Sequence, residues 1–547
     1  MFCFQCEQTF QGKGCTRQGV CGKDGHTAAM QDLLIYALKG LAGWARRARE
    51  LGVSDGEINV FTIEALFTTI TNVNFDAERV GKLIERAVQL REKARSLYEE
   101  AARKAGKPVE DPGGAAAWQL ASDADGLLEQ AEEIGIARRL EKHGVHVTGL
   151  KELVTYGLKG IAAYADHAHV LGKEDEAIYA FIHEALDRIS GDDAGADELT
   201  ALAIRCGATN LRAMELLDEA NTGAYGDPVP TKVRVTPLKG KAIVVSGHDF
   251  KDLEALLVQT EGTGINVYTH GEMLPAHGYP GLKKYGHLAG NYGGAWQEQI
   301  REFAEFPGAI VMTTNCIQRP QKSYVDRIFT TGLVGWPGVV HIGDRDFKPV
   351  IKAALAAEGF GEDAPEKHIT VGFGRKTLLD NAEALLEAFR SGRIRRAFVI
   401  AGCDGAKPGR NYYTELAEAV PDDCVIVTFA CGKYRFNRLD LGEVAGLPKV
   451  IDCGQCNDAH SALMLLKVLS EKLGVEPNAL PVSLIVSWYE QKAVAVLLAL
   501  FALGVRNIRL GPSMPAFASP ELLGLLSEKF NVMPISTPAE DLKAVLG

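Results

Sequence analysis

A chain of 547 residues is too long for one hydrophobic core and, at roughly 150 residues per domain, predicts three or four domains. Its 46% hydrophobic and 24% charged residues match an ordinary soluble globular protein. The net charge of −11, with acidic and basic residues interspersed, argues against nucleic acid or an anionic membrane surface as the main partner.

From the N-terminus, Met1 to Cys6 holds neither a basic segment nor a long apolar one, so a cytoplasmic protein is expected. Eleven cysteines in such a chain suit metal binding or redox chemistry better than disulfides. Four of them, Cys3, Cys6, Cys15 and Cys21, follow the spacing C-x2-C-x8-C-x5-C. Thiolates this close in sequence are able to surround one metal centre, and the glycines at 12, 14, 19 and 22 let the backbone wrap closely. An iron–sulfur cluster and a structural zinc both fit.

Apolar residues at helical spacing then predict helices over residues 32–51, 57–72 and 77–101. Tyr36-Ala-Leu-Lys-Gly-Leu-Ala-Gly-Trp-Ala is matched by Tyr156-Gly-Leu-Lys-Gly-Ile-Ala-Ala-Tyr-Ala, an offset of 120 residues, and Glu64-Ala-Leu and Glu184-Ala-Leu keep that offset. Two copies of a three-helix unit follow, with a period too long for a solenoid. The region is expected to be two small bundles packed on each other. Glycines and prolines between 222 and 237 mark a linker.

Beyond it, β-rich runs at 241–246, 265–269, 309–314, 338–342, 397–401, 424–428 and 483–487 alternate with amphipathic helices such as 378–390 and 491–503. That alternation predicts doubly wound parallel sheets covered on both faces. The expected class is a multidomain α and α/β protein. A helical domain with the cysteine motif spans 1–222, one Rossmann-like α/β domain 238–380 and a second 381–547. The most apolar stretch, 493–505, is too short to span a bilayer and reads as a buried helix.

Seven residues of metal-binding type follow predicted strands, six of them after these runs and Cys456 after a further short Val450-Ile strand: His248, Glu272, Cys316, Cys403, Cys431, Cys456 and Glu490. Doubly wound sheets place their ligand sites there. Singly, each reads as a core thiol, a helix cap or a loop residue. Together they suit a centre with soft and hard faces, where thiolates hold iron and oxygen or nitrogen donors leave room for substrate. Cys206 falls in a helix and Cys424 in a strand, so both read as core, and Cys453 stays unassigned. His167 and His169 lie in a helix of the repeat, where a surface role is expected. Gly372-Phe-Gly-Arg-Lys-Thr lacks the third glycine of a dinucleotide loop, and no Walker-type phosphate loop occurs. An external electron donor is therefore expected in place of a bound nicotinamide.

At this point the chain resembles the hybrid-cluster, or prismane, proteins over essentially its whole length. The resemblance rests on Met1-Phe-Cys-Phe-Gln-Cys-Glu-Gln, Gly247-His-Asp, Thr269-His-Gly-Glu-Met-Leu-Pro-Ala-His, Asn315-Cys-Ile, Gly402-Cys-Asp-Gly, Gly454-Gln-Cys-Asn-Asp and Ser487-Trp-Tyr-Glu-Gln-Lys-Ala. It implies that Cys3, Cys6, Cys15 and Cys21 bind a 4Fe-4S cubane, as in one subgroup of the family. It further implies that His248, Glu272, Cys316, Cys403, Cys431, Cys456 and Glu490 hold a hybrid 4Fe-2O-2S cluster, with a persulfide available at Cys403. The implied activity is reduction of hydroxylamine to ammonia and water, with Glu490, Glu272 and Cys403 as the reactive ligands. His277 and Lys492 are candidate proton donors. Two other readings stand beside it: a nickel–iron carbon monoxide dehydrogenase, and a protein of nitrosative stress that reduces nitric oxide, senses it or acts in protein S-nitrosylation. Oligomeric state is left open.

Overall fold

The computed structural model describes residues 1–404 and 410–547. Gly405, the second glycine flanking Cys403 in the sequence motif, lies outside the described residues.

The helical part runs to Tyr225. Its first unit is α1 (Gly25–Glu50), α2 (Gly56–Thr68) and α3 (Ala77–Lys104). A connecting helix α4 (Ala124–Ile134) leads to the second unit, α5 (Ile136–Val170), α6 (Glu176–Ser190) and α7 (Ala196–Tyr225). Aspartates start these helices where the sequence supplies them. Asp24 accepts from Thr27 N–H at 2.7 Å, Asp55 from Ile58 N–H at 3.1 Å and Asp175 from Ala177 N–H at 2.9 Å. Asp55 and Asp175 are themselves 120 residues apart. The two units interlock. Besides α1 on α3 and α5 on α7, α2 packs on α5 and α6 packs on α1. The middle helix of each copy thus completes the other copy.

Two six-stranded sheets follow. The first comprises β1 (Lys241–Ser246), β2 (Ile265–His270), β3 (Leu288–Asn291), β4 (Ala309–Met312), β5 (Ile328–Thr331) and β6 (Val340–Ile342), in the order β3-β2-β1-β4-β5-β6. The second comprises β7 (Arg396–Gly402), β8 (Cys424–Thr428), β9 (Val450–Asp452), β10 (Val482–Ser487), β11 (Ile508–Gly511) and β12 (Val532–Pro534), in the order β9-β8-β7-β10-β11-β12. All pairings within both are parallel, so each repeats the doubly wound order and reverses beside its first strand. Runs such as Ile243-Val-Val and Ile485-Val-Ser are buried throughout, as parallel strands covered on both faces require.

The linker is tied down. Thr231–Arg234 pairs antiparallel with His368–Val371. The helix expected over 378–390 is two, Arg375–Asp380 and Ala382–Arg390, parted at Asn381.

One apolar core joins the helical region to the second sheet. Its link is α8 (Gln491–Ala502), which follows β10 and packs on α5 and α7. Gly207 makes this approach possible, since a Cβ there would lie 2.0 Å from Leu498 O. Leu498 and Phe501 are buried in the contact, each contributing roughly 1.5–3 kcal/mol. Glu490, immediately before α8, is thereby held where sheet meets helices. No helix among the described residues is long and apolar enough to cross a membrane.

Candidate metal centres

The N-terminal loop folds back so that Cys3 and Cys15 pair as a short antiparallel bridge. Cys3 N–H donates to Cys15 O at 3.1 Å and Cys15 N–H to Cys3 O at 2.8 Å. A turn from Thr9 N–H to Cys6 O brings Cys6 round, and Gly19 leaves room for the Cys21 sulfur. All four thiols are free. Burial, with Cys21, Cys3 and Cys15 close by, pushes the Cys6 thiol well up. Distant chain frames the loop: Glu7 N–H donates to Tyr489 O at 3.0 Å, and Gln491 Nε2 to Gln5 O at 2.6 Å. Lys159 Nζ donates to Gln5 Oε1 at 2.9 Å.

The dispersed residues converge. His248 follows β1, Glu272 follows β2 and Cys316 follows β4. Cys403, Cys431, Cys456 and Glu490 follow β7, β8, β9 and β10. The carboxyl ends of the two sheets face each other, and one enclosed hollow is lined by His248, Glu272, Cys316, Cys403, Cys431 and Glu490. Cys456 joins them: a ligand atom from each of His248, Glu272 and Cys456 lies within 4.8 Å of the others. All seven sequence-derived candidates therefore stand around one centre. Gly402 permits the turn into Cys403. Its φ is +105°, and a Cβ there would meet Ser487 O at 2.0 Å.

Hydrogen bonds between the sheets fix the donors. Cys456 N–H donates to Glu272 Oε2 at 3.0 Å, and Gln455 Nε2 donates to the carbonyls of His248 at 3.1 Å and Glu272 at 2.8 Å. Lys492 Nζ lies 2.9 Å from His248 Nε2 and 2.8 Å from Asn315 Oδ1. Glu272 Oε1 and Glu490 Oε1 are buried with no hydrogen-bond partner among the described residues. Burial, reinforced by Glu490 and Cys456, drives the Cys403 thiol well up, and burial raises the Glu490 and Glu272 carboxyls. Burial would push Lys492 down, but Cys456, Glu490, Cys316 and Cys403 around it hold it above the usual lysine range. A polycation at the centre would reverse the shifts of the thiols and carboxyls, stabilising thiolate and carboxylate together. The donor set, four sulfurs with two carboxylates and an imidazole, fits a group with both soft and hard faces.

Tyr489 spans the gap between the centres. Its ring stacks on Trp296 at 4.0 Å, and both Cys6 and Cys316 are near enough to perturb its hydroxyl. An apolar cavity of 260 Å³ bordered by Phe373, Leu385 and Phe389 shares Val399, Ala462 and Leu466 with a 50 Å³ one that reaches Cys403 and Cys456.

Other positions fall elsewhere. Cys206 is buried in α7 and Cys424 in β8, as expected, and Cys453 is buried beside Asp452 and Asp458. His277 is held by Thr269 Oγ1 at 3.0 Å and does not line the hollow. His169 pairs with Glu174. His167 is a correction: it is buried and stacks on the His248 ring at 6.1 Å, because α5 is enclosed on every side from Thr148 to Ala168. Gln455, Asn315 and Tyr489 carried no signal of their own, although each adjoins a candidate ligand or lies next to one in sequence.

Residues 1–543 match the Prismane/CO dehydrogenase family. The chain is 56% identical over 547 residues to a protein of Syntrophobacter fumaroxidans named hydroxylamine reductase, covering all of both chains. It is 53% identical over 550 residues to one of Geobacter sulfurreducens with the same name, again covering all of both. Among solved structures, a Ni-free carbon monoxide dehydrogenase from Thermococcus sp. AM4 superimposes with a TM-score of 0.55 at 19% identity, over all of this chain and 89% of that one. Carbon monoxide dehydrogenase IV from Carboxydothermus hydrogenoformans gives 0.55 at 17%, over 99% and 92%. Those two likenesses speak to fold alone, whereas the match to the family and the relatives above one-half identity extend through both cysteine sites, and the chain belongs to the Prismane/CO dehydrogenase family.

Proposed function

We propose that the protein is an iron–sulfur oxidoreductase that converts hydroxylamine, two electrons and two protons into ammonia and water. The observation that carries this reading is the convergence of His248, Glu272, Cys316, Cys403, Cys431, Cys456 and Glu490 at the facing ends of two sheets. They would hold the hybrid 4Fe-2O-2S cluster, with Cys403 able to carry an extra sulfur as a persulfide. Cys3, Cys6, Cys15 and Cys21 would hold a 4Fe-4S cluster that takes electrons from an external electron-donor protein in the cytoplasm. When bound, the hybrid cluster would supply the reducing electrons and iron that can take up a small nitrogen compound.

The chain's own residues supply the rest. Cleaving the N–O bond requires a proton on the departing oxygen. Lys492 holds one at Nζ and stays charged because thiols and Glu490 surround it. Asn315 Oδ1, accepting at 2.8 Å, fixes the direction of that ammonium. Glu490 and Glu272 each keep one carboxylate oxygen free of hydrogen bonds and so free to bind metal. Tyr489 and Trp296 fill the space between the centres and keep water out of it.

Metal and sulfide analysis of anaerobically purified protein, with steady-state turnover of hydroxylamine by a reduced dye, tests this. Iron and sulfide sufficient for two four-iron centres, with turnover, are expected. Zinc at the N-terminal site, nickel at the second, or a fully loaded protein inert towards hydroxylamine would overturn it.

A further inference from the structure

A cavity of 430 Å³ lies between the two helical units, with Phe2 and Cys3 on one wall. The repeat builds it from matched residues: Asp32 and Glu152, Tyr36 and Tyr156, and Lys39 and Lys159 each stand 120 residues apart and all line it. The two copies thus turn the same carboxylate, phenol and ammonium face towards a common space. At about 30 Å³ per water it has room for well over a bare oxyanion.

The charges around this space do not cancel. Lys23, Lys39, Lys151 and Lys159 are each more than nine-tenths buried, and none is ion-paired with a carboxylate among the described residues. Lys23 donates to Gln31, Lys151 to Gly191 O at 2.6 Å, and Lys159 to Gln5 Oε1 and Thr69 O. The Lys39 ammonium makes no hydrogen bond or ion pair with any described residue. Glu152 is taken by Arg139, whose Nε is buried without a partner, and Asp192 by Lys142, so of the lining carboxylates Asp32 and Glu133 remain to answer four ammonium groups. Lys23 and Lys159 are close enough to Cys3 to balance its thiolate. Lys39 feels Glu152 and Asp32, and Lys151 feels Asp192 and Asp193, but neither lysine is in an ion pair with them. Burial, with Arg139 and Lys151 nearby, holds Lys39 down to about 7 against the pull of Glu152 and Asp32. Buried charges are ordinarily paired. A second cavity of 640 Å³, lined by Arg46, Arg47, Arg188 and Arg205, shares Lys39 with the first and adjoins it.

We propose that this cavity is a binding site for a small organic polyanion of the phosphate or carboxylate type, anchored by Lys39 and Lys151 and set against the wall that carries Cys3. Asp32 and the two tyrosines face the ligand's hydroxyl groups. Occupancy places negative charge beside the N-terminal centre and makes that centre harder to reduce.

Calorimetric titration of the iron-loaded, full-length protein in anion-poor buffer tests the site without turnover, using pyrophosphate in one arm and citrate in the other. Binding at one site with a dissociation constant of about 1 mM or tighter is expected in at least one arm, and which arm responds separates a phosphorylated from a polycarboxylic ligand. Lys39→Met keeps the apolar stem and should weaken that binding by about tenfold or more. The bound probe should also raise the melting temperature of the unchanged protein and not of the variant. Lys151→Met replaces it if Lys39→Met does not fold. Silence in both arms with the unchanged protein, or equal affinity in the variant, overturns the proposal.

Discussion

Cys3, Cys6, Cys15 and Cys21 lie within nineteen residues on one loop, whereas the seven residues around the inner hollow come from the ends of seven strands in two sheets. In the loop, proximity is supplied by the chain itself and by one short bridge between Cys3 and Cys15. In the hollow it is supplied by topology: parallel strands in the doubly wound order all deliver their carboxyl ends to one side, and two sheets set end to end double the number of donors. A local motif tolerates change in the scaffold but loses everything with one ligand. A dispersed site shares its geometry among many backbone segments and depends on all of them.

The sharpest break in that comparison comes from replacing one thiol in each. Cys403→Ser should lower hydroxylamine turnover by at least about 100-fold and remove iron from the inner centre, because an alkoxide or hydroxyl is a harder ligand than sulfur. The paramagnetic signal of the N-terminal cluster should persist. Cys15→Ala should give the mirror image, with the loop's signal lost and the inner centre's kept; iron counting and electron paramagnetic resonance read both. Loss of both signals in either variant would show the two sites to be one assembly. Next in size, Lys492→Met should lower kcat by about 100-fold while iron content holds, if this lysine delivers the proton. A variant with intact iron and unchanged kcat removes it from that role. Tyr489→Leu tests the join between the regions. Electron delivery from the loop to the inner centre should slow by about tenfold in rapid-mixing experiments, with both signals present.

The smallest effect separates the scaffolds. His183 is buried between the helical units, beside Arg49 and Thr62, and burial lowers it to about 3. Its folded-state value lies below the unfolded one, so the unfolded chain binds the extra proton between about pH 6.5 and 3 and stability falls as pH drops through that window. His183→Gln should lose less stability over the same window in chemical denaturation.

The strands at 241–246 and 424–428 were legible because β-branched runs of five or six residues mark a doubly buried strand. Leu288–Asn291 and Ile328–Thr331 were not, being four residues long, one with a glycine inside. The helix at 378–390 read as continuous because Asn381 fits the polar side of its period, yet the backbone breaks there. Copy number in the helical part was legible from the 120-residue offset, but a repeat says nothing of which copy each helix packs on. All seven inner candidates were legible because strand ends are positions in sequence. Their supports were not: the reach of Gln455 to His248 and the stacking of His167 on that imidazole exist only once sheets and helices have met.

The tie from Glu7 to Tyr489 and from Gln5 to Gln491 has a consequence for biosynthesis. The backbone that clamps the four loop cysteines is synthesised some 480 residues after them. At about 5–20 residues per second, the thiols stay unframed for roughly half a minute or longer. Iron delivered during translation would therefore meet a flexible tetrathiol, and iron delivered after release would meet a finished socket. The finished socket of the N-terminal centre therefore waits on the segment that carries Tyr489 and Gln491.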